Sequence, residues 1–403
     1  MADNINHNIS ARSAISGNFD RINNIGSDTL NLYLQVMPKS IDSISAPAIL
    51  IEKSILEKNL LAMQKLTDKS GVKLRVHVKT HKIPELAKMQ IRLGACGIAV
   101  AKLGEAEVMA DSGIKDIQIA NIITGPDKIK RLVRLNRELK LTVAVDSIEN
   151  ARELSNRFRR EASPLNLLIK INSGLNRCGL DSFDALLAFL KESKKLQGIR
   201  IVGLMTHAGH AYGSGSLSEI RKIGQAEGQL LVDYARRLKD YGYDVPIISV
   251  GSTPTAPFCA GVKGVTELRV GNYIFNDMTQ VSLGIAKTKQ CALSVLSTVI
   301  SMPSRKRVIL DTGSKALALD KGAHGSNILH GHGLIKETGD IITRLSEEHG
   351  IIDNPRGKYK IGDRLRIIPN HACTVMNLFD EAYLVNSGKV IRKYKIAARG
   401  KMS

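Results

Sequence analysis

The sequence predicts a (β/α)8 TIM-type barrel followed by a mostly β C-terminal domain. Between about residues 46 and 275, short β-branched runs alternate with longer segments whose apolar residues recur at helical spacing. That alternation is typical of parallel strands joined by helices. After about residue 275, strand-like runs follow one another with hardly any helical spacing between them. The length of 403 residues fits a barrel with a companion domain.

Eight strand candidates alternate with helical segments, and eight is the number that closes a barrel of this type. Helical spacing is clear between them, as in LGEAEVMADSG and FDALLAFLKESKKL. The candidates are LRVHVK (74–79), GIAVA (97–101), IQIA (117–120), LTVAV (141–145), NLLIKIN (166–172), RIVGLMT (200–206), PIISV (246–250) and TELRV (266–270).

The predicted boundaries divide the chain into three parts. Residues 1–45 are rich in Asn, Ser and Ile and form an irregular N-terminal arm with one short helix at GSDTLNLYLQVM. Residues 46–275 form the barrel, although an earlier strand, PAILIE (47–52), can join the sheet of the other domain. Residues 276–403 form the β-domain, with strands in CALSVLSTVISMP, KRVILDTG, DRLRIIP and EAYLV.

The formal charge of +20 invites a nucleic-acid partner, but the distribution of charge argues against one. The densest basic stretch is DKIKRLVRLNRELK (127–140), and its apolar residues lie at helical spacing. Its Lys and Arg residues are therefore interpreted as the solvated face of an amphipathic helix. Aromatic residues, at 4%, are too few for a platform on which bases stack.

Membrane and secretory signals are not evident in the sequence. No run of about 18 uncharged apolar residues occurs, and the opening residues MADNINHNIS lack the basic and apolar regions of a signal peptide. The five cysteines are scattered and contain no C-x-x-C pair, so a disulfide framework or a zinc finger is disfavoured. The sequence predicts a cytoplasmic protein with no membrane partner.

Lys79 is the first candidate catalytic residue. Side chains alternate along a strand, so Arg75, His77 and Lys79 share one face while Val76 and Val78 share the other. If the valines face the helices, Lys79 points into the barrel mouth, where lost hydration lowers its pKa and suits Schiff-base chemistry. The alternative is a lysine on a surface loop.

Two glycine-containing loops predict a phosphate site. Gly251-Ser252-Thr253-Pro254-Thr255 follows the seventh strand, and Gly271-Asn272-Tyr273 follows the eighth. Loops at these two positions are the usual phosphate site of barrel enzymes, and glycine lets the backbone approach a phosphate closely. Either loop alone is more often a simple turn. A phosphate site together with an inward lysine suggests pyridoxal 5'-phosphate (PLP).

Further polar residues fall at the predicted barrel mouth and in the β-domain. Arg177 follows the fifth strand, and His207 and His210 follow the sixth, where each can also be a simple cap or ion-pair partner. His371 and Cys373, placed on a strand at i and i+2, form a two-ligand metal clamp or a half-buried His beside a core Cys. The remaining histidine group is assigned to a solvent-exposed loop rather than a second metal site: His324, His330 and His332.

The run Arg75-Val-His-Val-Lys79-Thr-His-Lys82 resembles the PLP-lysine motif of the D-threonine aldolase / D-serine dehydratase family, which are fold-type-III PLP enzymes related to alanine racemase. The resemblance covers about residues 46–400 and leaves the first 45 residues outside it. It continues through NSGLNRCG (172–179), THAGHAY (206–212), SVGSTPT (249–255), TELRVGNYIFND (266–277), LDTGSKA (310–316), LSEEHG (345–350) and PNHACTVMNLFD (369–380).

The resemblance implies a role for each matching residue. Lys79 holds PLP as a Schiff base and handles the Cα proton, Arg177 contacts the phenolic oxygen, and His207 lies beside the pyridine ring. Arg269 takes the place of the partner of the pyridine nitrogen. His371 and Cys373 match the metal ligands, with Zn2+ favoured by the thiolate and Mn2+ as the alternative; aldolase members tend to carry Asp in place of Cys373. The other cofactor-binding residues, chiefly around the phosphate, are Tyr212, Gly251, Ser252, Thr253, Gly271, Asn272 and Tyr273.

The function implied by the resemblance is a PLP- and divalent-metal-dependent lyase that acts on small D-3-hydroxy amino acids. The reaction is either dehydration to a 2-oxo acid plus ammonia or retro-aldol cleavage to glycine plus an aldehyde. A homodimer is expected, since relatives complete the site across two subunits. The alternatives are an amino-acid racemase of the alanine racemase type and a non-catalytic PLP-binding protein, although the β-domain argues against the second.

Overall fold

The computed structural model describes residues 38–403 and contains a closed barrel of eight parallel strands and a separate sheet of nine strands. The predicted fold class is confirmed. The predicted helix at GSDTLNLYLQVM lies outside the described residues. Within the part of the chain that is described, no helix is long and apolar enough to span a bilayer.

The barrel strands lie side by side in chain order, and all eight predicted strands are present. The ring closes where Val76 of the first barrel strand pairs with Val270 of the last. One strand, β1 (Ala48–Glu52), comes before the barrel. The barrel strands are β2 (Lys73–His77), β3 (Gly97–Val100), β4 (Asp116–Ile122), β5 (Lys140–Val145), β6 (Leu165–Lys170), β7 (Ile199–Met205), β8 (Ile247–Val250) and β9 (Glu267–Val270).

Helices surround the barrel and cover the outer faces of its strands, which explains why those faces are apolar. Ser147, Ser182 and Ser216 each begin a helix with a side chain that accepts a hydrogen bond from a backbone N–H of the first turn. The helices are α1 (Lys53–Ser70), α2 (Pro84–Arg92), α3 (Leu103–Asp111), α4 (Pro126–Glu138), α5 (Ile148–Phe158), α6 (Phe183–Ser193), α7 (Leu217–Asp240), α8 (Ala256–Cys259) and α9 (Met278–Ser282).

The basic stretch 127–140 folds as predicted for an amphipathic helix. It supplies most of α4, whose buried residues include Ile129, Leu132 and Val133. Lys128 and Arg134 lie on its exposed side. The concentration of positive charge here is thus the solvated face of a helix that packs on the barrel.

The second sheet forms the β-domain and includes β1 from the start of the described chain. There β1 pairs in antiparallel fashion with one strand, at Ile49 to Val295, and in parallel fashion with another, at Ile49 to Ala382. The remaining strands are β10 (Leu293–Ser304), β11 (Arg307–Leu310), β12 (Gly333–Ile335), β13 (Arg344–Leu345), β14 (Gly350–Asp353), β15 (Arg364–Pro369), β16 (Glu381–Asn386) and β17 (Lys389–Lys395). Two short helices, α10 (Ser314–Leu317) and α11 (Ala372–Met376), lie between them.

Two local predictions are wrong. The strand alternation through Lys79 stops early, because β2 ends at His77 and Val78–Thr80 forms a single 3-10 turn. The run that carries His371 and Cys373 is also not a strand. There β15 ends at Pro369, and His371 is the residue that precedes α11. Both departures occur at a strand end, where the chain leaves the sheet and local turn geometry replaces the period of two.

Candidate active site

A cavity of about 560 Å³ opens at the carboxyl ends of the barrel strands. Its walls come from both parts of the chain: Lys79 and Arg269 belong to the barrel, whereas His371 and Cys373 belong to the β-domain. Barrel enzymes carry their active sites at this end. The structure therefore brings the predicted lysine and the predicted metal pair to one cavity.

Lys79 reaches the cavity from the 3-10 turn Val78–Thr80 that follows β2. The backbone N–H of Lys79 donates a hydrogen bond to Nδ1 of His77 at 3.5 Å. Burial lowers the pKa of Lys79, and the positive charges of Arg177 and Arg269 lower it further. A lysine with a lowered pKa more often holds a neutral amine, which is the form that attacks a carbonyl group.

Arg269 of β9 lies at the floor of the cavity and is held there by hydrogen bonds. Its Nη1 donates to Ser249 Oγ at 2.7 Å, and its Nη2 donates to the carbonyl oxygen of Thr206. Ser249 Oγ in turn donates to Glu267 at 2.7 Å, and Glu267 accepts from Arg75 Nε at 2.6 Å. These buried charges fix the guanidinium of Arg269, because moving it would leave polar groups without partners.

One wall of the cavity is aromatic and consists of His207, Tyr212 and His324. Nε2 of His207 lies 3.3 Å from Nε2 of His324, and the ring centroids of Tyr212 and His324 are 4.7 Å apart. Burial and the positive charge of Lys79 lower the pKa of both histidines. Both imidazoles are therefore neutral near pH 7 and can accept or donate one hydrogen bond each.

The prediction that His324, His330 and His332 lie on a solvent-exposed loop agrees with the structure only in part. His330 is exposed and His332 is half-buried, whereas His324 keeps some exposed surface but places its ring in the cavity wall beside His207. Within residues 38–403, no group of three or more His, Cys, Asp and Glu side chains is arranged to hold a metal ion. His210 follows β7, as His207 does, and its ring lies against Gly174 in the loop that carries Arg177.

The loops after β8 and β9 supply part of the predicted phosphate site. A Cβ at position 271 would lie 2.6 Å from the carbonyl oxygen of His77, so only glycine fits this close approach. Asn272 has a buried Oδ1 without a hydrogen-bond partner, which only a bound hydrogen-bond donor can satisfy. The loop residues that line the cavity are Ser252, Thr253, Gly271 and Asn272.

Gly251 and Tyr273 lie behind this wall rather than in it. The Gly251 N–H is already bonded to the carboxylate of Glu227 at 2.8 Å. The Tyr273 N–H donates to Thr253 Oγ1 at 3.1 Å, and its hydroxyl accepts from Gln90 at 2.8 Å. Both residues therefore support the residues that line the cavity, which differs from the direct phosphate contact that the resemblance implies.

Glu227 of α7 is a buried residue that sequence reasoning missed. Besides Gly251, its carboxylate accepts hydrogen bonds from the Ala208 N–H at 3.2 Å and from Thr255 Oγ1 at 2.9 Å. It thus ties the loop after β7, which carries His207, to the loop after β8. The signal was present, since Ile220, Gly224, Glu227 and Leu231 follow the helical spacing of a buried face.

Replacing Glu227 by alanine is expected to weaken PLP binding about tenfold and to lower the melting temperature. Two backbone N–H groups would lose a buried acceptor, at a cost of about 1–3 kcal/mol per group. The Glu227→Gln variant keeps an acceptor for these donors and should recover most of the loss. PLP affinity by absorbance titration and Tm by scanning fluorimetry measure the two effects. Glu219→Ala, on the exposed first turn of α7, is the control, and an unchanged PLP affinity in Glu227→Ala would contradict the assignment.

The charge of the cavity suits an anionic cofactor such as PLP, whose phosphate and phenolic oxygen are both acidic. Among the lining residues there is one carboxylate, Glu105, and it is paired with Lys82 at 2.8 Å. Lys102, Arg177 and Arg269 leave a positive surplus, to which Lys79 and Lys170 add when they are protonated. The residues present therefore fit PLP.

Lys170, at the end of β6, was not among the predicted site residues. Its Nζ donates to the carbonyl oxygen of Ala120 at 3.0 Å and to Cys178 Sγ at 3.4 Å. Burial lowers its pKa. A lysine within the apolar run NLLIKIN was the available signal, because a charged residue there must point into the barrel.

His371 and Cys373 are close enough to affect each other's ionisation. Burial disfavours the Cys373 thiolate, but the charge of His371 and a hydrogen bond with it lower the pKa of the thiol overall. Thr80 Oγ1 lies 3.3 Å from Cys373 Sγ. A thiolate beside an imidazole is a donor set that suits Zn2+. The residues present therefore fit a divalent metal with two protein ligands and open positions.

Two aspartates around this pair were not predicted from the sequence. Asp320 lies 3.1 Å from Nδ1 of His371 and accepts from Thr374 Oγ1 at 2.6 Å. A carboxylate on Nδ1 orients the ring and leaves Nε2 for a metal. Asp277 accepts from Asn272 Nδ2 at 2.6 Å and from the Ala372 N–H at 2.9 Å, so it connects the loop after β9 to α11.

A barrel with a lysine, a phosphate-type loop pair and a cationic cavity defines a PLP-dependent enzyme with the alanine racemase fold. The family model of the alanine racemase N-terminal domain matches residues 51–278, and that of a putative serine dehydratase domain matches residues 292–385. The chain belongs to the D-threonine aldolase / D-serine dehydratase family of PLP-dependent lyases. The predicted family and enzyme class are thus confirmed.

Three relatives illustrate this membership. D-threonine aldolase of an Arthrobacter species is 31% identical and covers 89% of this chain and 93% of its own length. D-threo-3-hydroxyaspartate dehydratase of a Delftia species is 32% identical, over 84% of this chain and 93% of its own. A structure of that dehydratase with a cysteine replaced by alanine, described as metal-free, has a TM-score of 0.83 at 30% identity and covers 89% and 99% of the two chains.

Proposed function

We propose that this protein is a PLP- and divalent-metal-dependent lyase acting on small D-3-hydroxy amino acids. The observation that supports the proposal is the single cavity lined by Lys79 and by the pair His371 and Cys373. The relatives act on D-threonine and D-threo-3-hydroxyaspartate according to their names, and both compounds carry a hydroxyl on Cβ.

The cofactor would be held by residues that line the cavity. Lys79 would bind its aldehyde carbon, and Arg177 would neutralise its phenolic oxygen. Arg269, held by Ser249, would face its ring nitrogen; a guanidinium cannot accept a proton there, so the nitrogen would stay unprotonated. PLP supplies an electron sink that stabilises negative charge on Cα. The phosphate would be held by Ser252, Thr253, Gly271 and Asn272.

The protein's own groups would control the protons. Lys79, with its lowered pKa, can take the Cα proton as a neutral amine. His371 and Cys373 would hold the divalent metal, with Zn2+ favoured, and the metal would act as a Lewis acid toward the Cβ hydroxyl. His207 and His324 hold neutral imidazoles on the aromatic wall, so each can form hydrogen bonds with substrate or water.

Two reactions are possible, and they differ in the bond that breaks at Cβ. One breaks the bond between Cβ and its hydroxyl oxygen, and the other breaks the Cα–Cβ bond. If Lys79 removes the Cα proton and the hydroxyl leaves, the products are a 2-oxo acid and ammonia. If a base removes the hydroxyl proton and the Cα–Cβ bond breaks, the products are glycine and an aldehyde. His371 is committed to the metal in this proposal, so the base for the second route is another group. Cys373 and the GSTPT loop favour the dehydratase outcome slightly.

A product assay with PLP-loaded protein tests the proposal. D-serine should give pyruvate, and D-threonine should give either 2-oxobutanoate or glycine with acetaldehyde. Activity should fall at least tenfold with a chelator and return with Zn2+ or Mn2+. Neither product from either substrate would contradict a lyase. Interconversion of D- and L-enantiomers that survives chelation would instead favour a racemase, and PLP binding without turnover would favour a carrier.

A homodimer and a cytoplasmic location stay predictions from the sequence. The dimer would place a second chain near the cavity mouth, as the resemblance implies. Light scattering on the PLP-loaded protein distinguishes a dimer from a monomer.

A further inference from the structure

The last described residues, 398–403, lie at the edge of the cavity, which Met402 lines, and we call them the tail segment. They are attached to three different walls. One is the loop after Lys79, the second is the turn after α11, and the third is the first turn of α3. The hydrogen bonds run from the Ala398 N–H to the Lys82 carbonyl oxygen at 3.1 Å, from the Gly400 N–H to Asn377 Oδ1 at 3.2 Å, and from the Gly104 N–H to the Ser403 carbonyl oxygen at 2.8 Å.

Met402 of the tail segment lines the cavity although it is 57% exposed. Leu378, also exposed, lines the cavity near it, together with Asn377. An apolar side chain this exposed adds little to the protein core. Its place at the cavity edge therefore needs another explanation, and Met402 and Leu378 form an apolar lip there.

The apolar lip adjoins the His371–Cys373 pair. Cys373 and Thr374 lie on α11, and Asn377 and Leu378 follow directly at its end, all with side chains on the cavity. The nearby ammonium of Lys82 is paired with Glu105 and adds no free charge. The side chains of Met402 and Leu378 suit an apolar group that lies next to the metal pair, although Lys102, two residues before Gly104, also lines the cavity.

We propose that Met402 forms a wall of the subsite for the substituent on the substrate's Cβ and sets which size of alkyl or aryl group is accepted. The inference rests on the proposed function, in which the Cβ hydroxyl lies at the metal pair. The other substituent on that carbon is then one bond away and reaches the adjoining apolar lip. The tail segment, through its three attachments, holds the methionine in place.

Variants at Met402 test the subsite through substrate preference. The readout is the ratio of kcat/KM for D-3-phenylserine to that for D-threonine, which differ in the size of the Cβ substituent. Met402→Ala should raise the ratio about tenfold and Met402→Trp should lower it about tenfold, because pocket contacts of this size discriminate by that order. Ile361→Ala, at an exposed apolar residue of the β-domain, is the matched control and should leave the ratio unchanged.

Gly104→Ala tests the attachment without touching the tail segment itself. A Cβ at position 104 would lie 2.9 Å from the Ser403 carbonyl oxygen and 3.2 Å from Lys401 Cβ, so it should displace the tail segment. The variant should shift the substrate ratio in the direction of Met402→Ala. Deuterium uptake of peptides containing residues 398–403 should also increase. Gly215→Ala is the control, since a Cβ there meets nothing within 4 Å.

The two possible failures are distinguishable. An active wild-type enzyme whose substrate ratio changes less than twofold in both Met402 variants overturns the subsite and leaves the proposed function intact. A wild-type protein that turns over no D-3-hydroxy amino acid overturns the proposed function and the subsite with it. Unchanged deuterium uptake in Gly104→Ala overturns the attachment of the tail segment.

Discussion

Lys79→Ala is expected to remove the visible absorbance of PLP-loaded protein and to lower kcat by about 10³-fold or more, a loss typical of removing a general base or nucleophile. Lys79 lines the cavity within reach of Arg177 and Arg269, whose charges favour its neutral form. Two other lysines that line the cavity already have partners: Lys82 is paired with Glu105, and Lys170 donates to the Ala120 carbonyl oxygen and to Cys178. Absorbance after PLP reconstitution and the product assay with D-serine measure the two losses.

The control for this prediction is Lys289→Ala, which removes an exposed lysine outside the cavity. The pH dependence offers a second measurement. Because the pKa of Lys79 is lowered by burial, its amine becomes neutral at a lower pH than that of a free lysine. In the PLP-loaded enzyme Lys79 is a free amine only after substrate has replaced it on the cofactor, so the kcat of wild type should rise with pH through a midpoint below the ordinary lysine value. A Lys79→Ala variant that keeps both the absorbance and the activity would rule out this role.

The barrel was predictable because a repeating unit carries a repeating pattern. Each of the eight strands carries apolar residues on its outer face and is separated from the next by a helix, so errors at one strand do not change the count. The amphipathic helix 127–140 was predictable for the same reason, since its apolar residues form one stripe. Periodic patterns thus determined the architecture and the end of the barrel at which the site lies.

The details of the site depend on segments where no period operates. Lys79 lies on a single 3-10 turn and His371 precedes a helix, so the alternation used to aim both side chains does not apply. The two residues reach the cavity all the same, because each follows a strand that ends there. Position at a strand end was therefore the reliable signal, and side-chain direction along the strand was not.

Residues that act through other residues were the hardest to predict. Glu227 and Asp277 each join loops that are far apart in the sequence, and a single carboxylate carries no motif. Met402 is far from Lys79 in the sequence and lines the same cavity only once the chain has folded. Such residues are recognised only when tertiary structure shows which backbone groups need an acceptor and which wall is incomplete without the side chain.

Cys373→Ala is expected to cost the enzyme its metal and to lower kcat/KM by more than about 100-fold. Loss of a residue that merely supports a ligand typically costs about 10–100-fold in metal affinity, and Cys373 is itself one of two protein ligands in the proposal. Metal content after gel filtration and the product assay, each with and without added Zn2+, measure the effect. Cys291→Ala, at a buried cysteine outside the cavity, is the matched control and should keep both.

Cys373→Asp separates the role of a ligand from that of a thiol. A carboxylate is a harder donor than a thiolate, so the variant should retain a metal but change its preference from Zn2+ toward Mn2+. Activity restored by Mn2+ in Cys373→Asp, together with no restoration in Cys373→Ala, would show that the position supplies a metal ligand. Wild-type activity that a chelator leaves unchanged, with Cys373→Ala and Cys373→Asp both as active as wild type, would mean that the reaction needs no metal at Cys373. His371→Ala should then also be harmless. If His371 is instead a metal ligand, His371→Ala should be as damaging as Cys373→Ala, because neither residue can hold the ion alone.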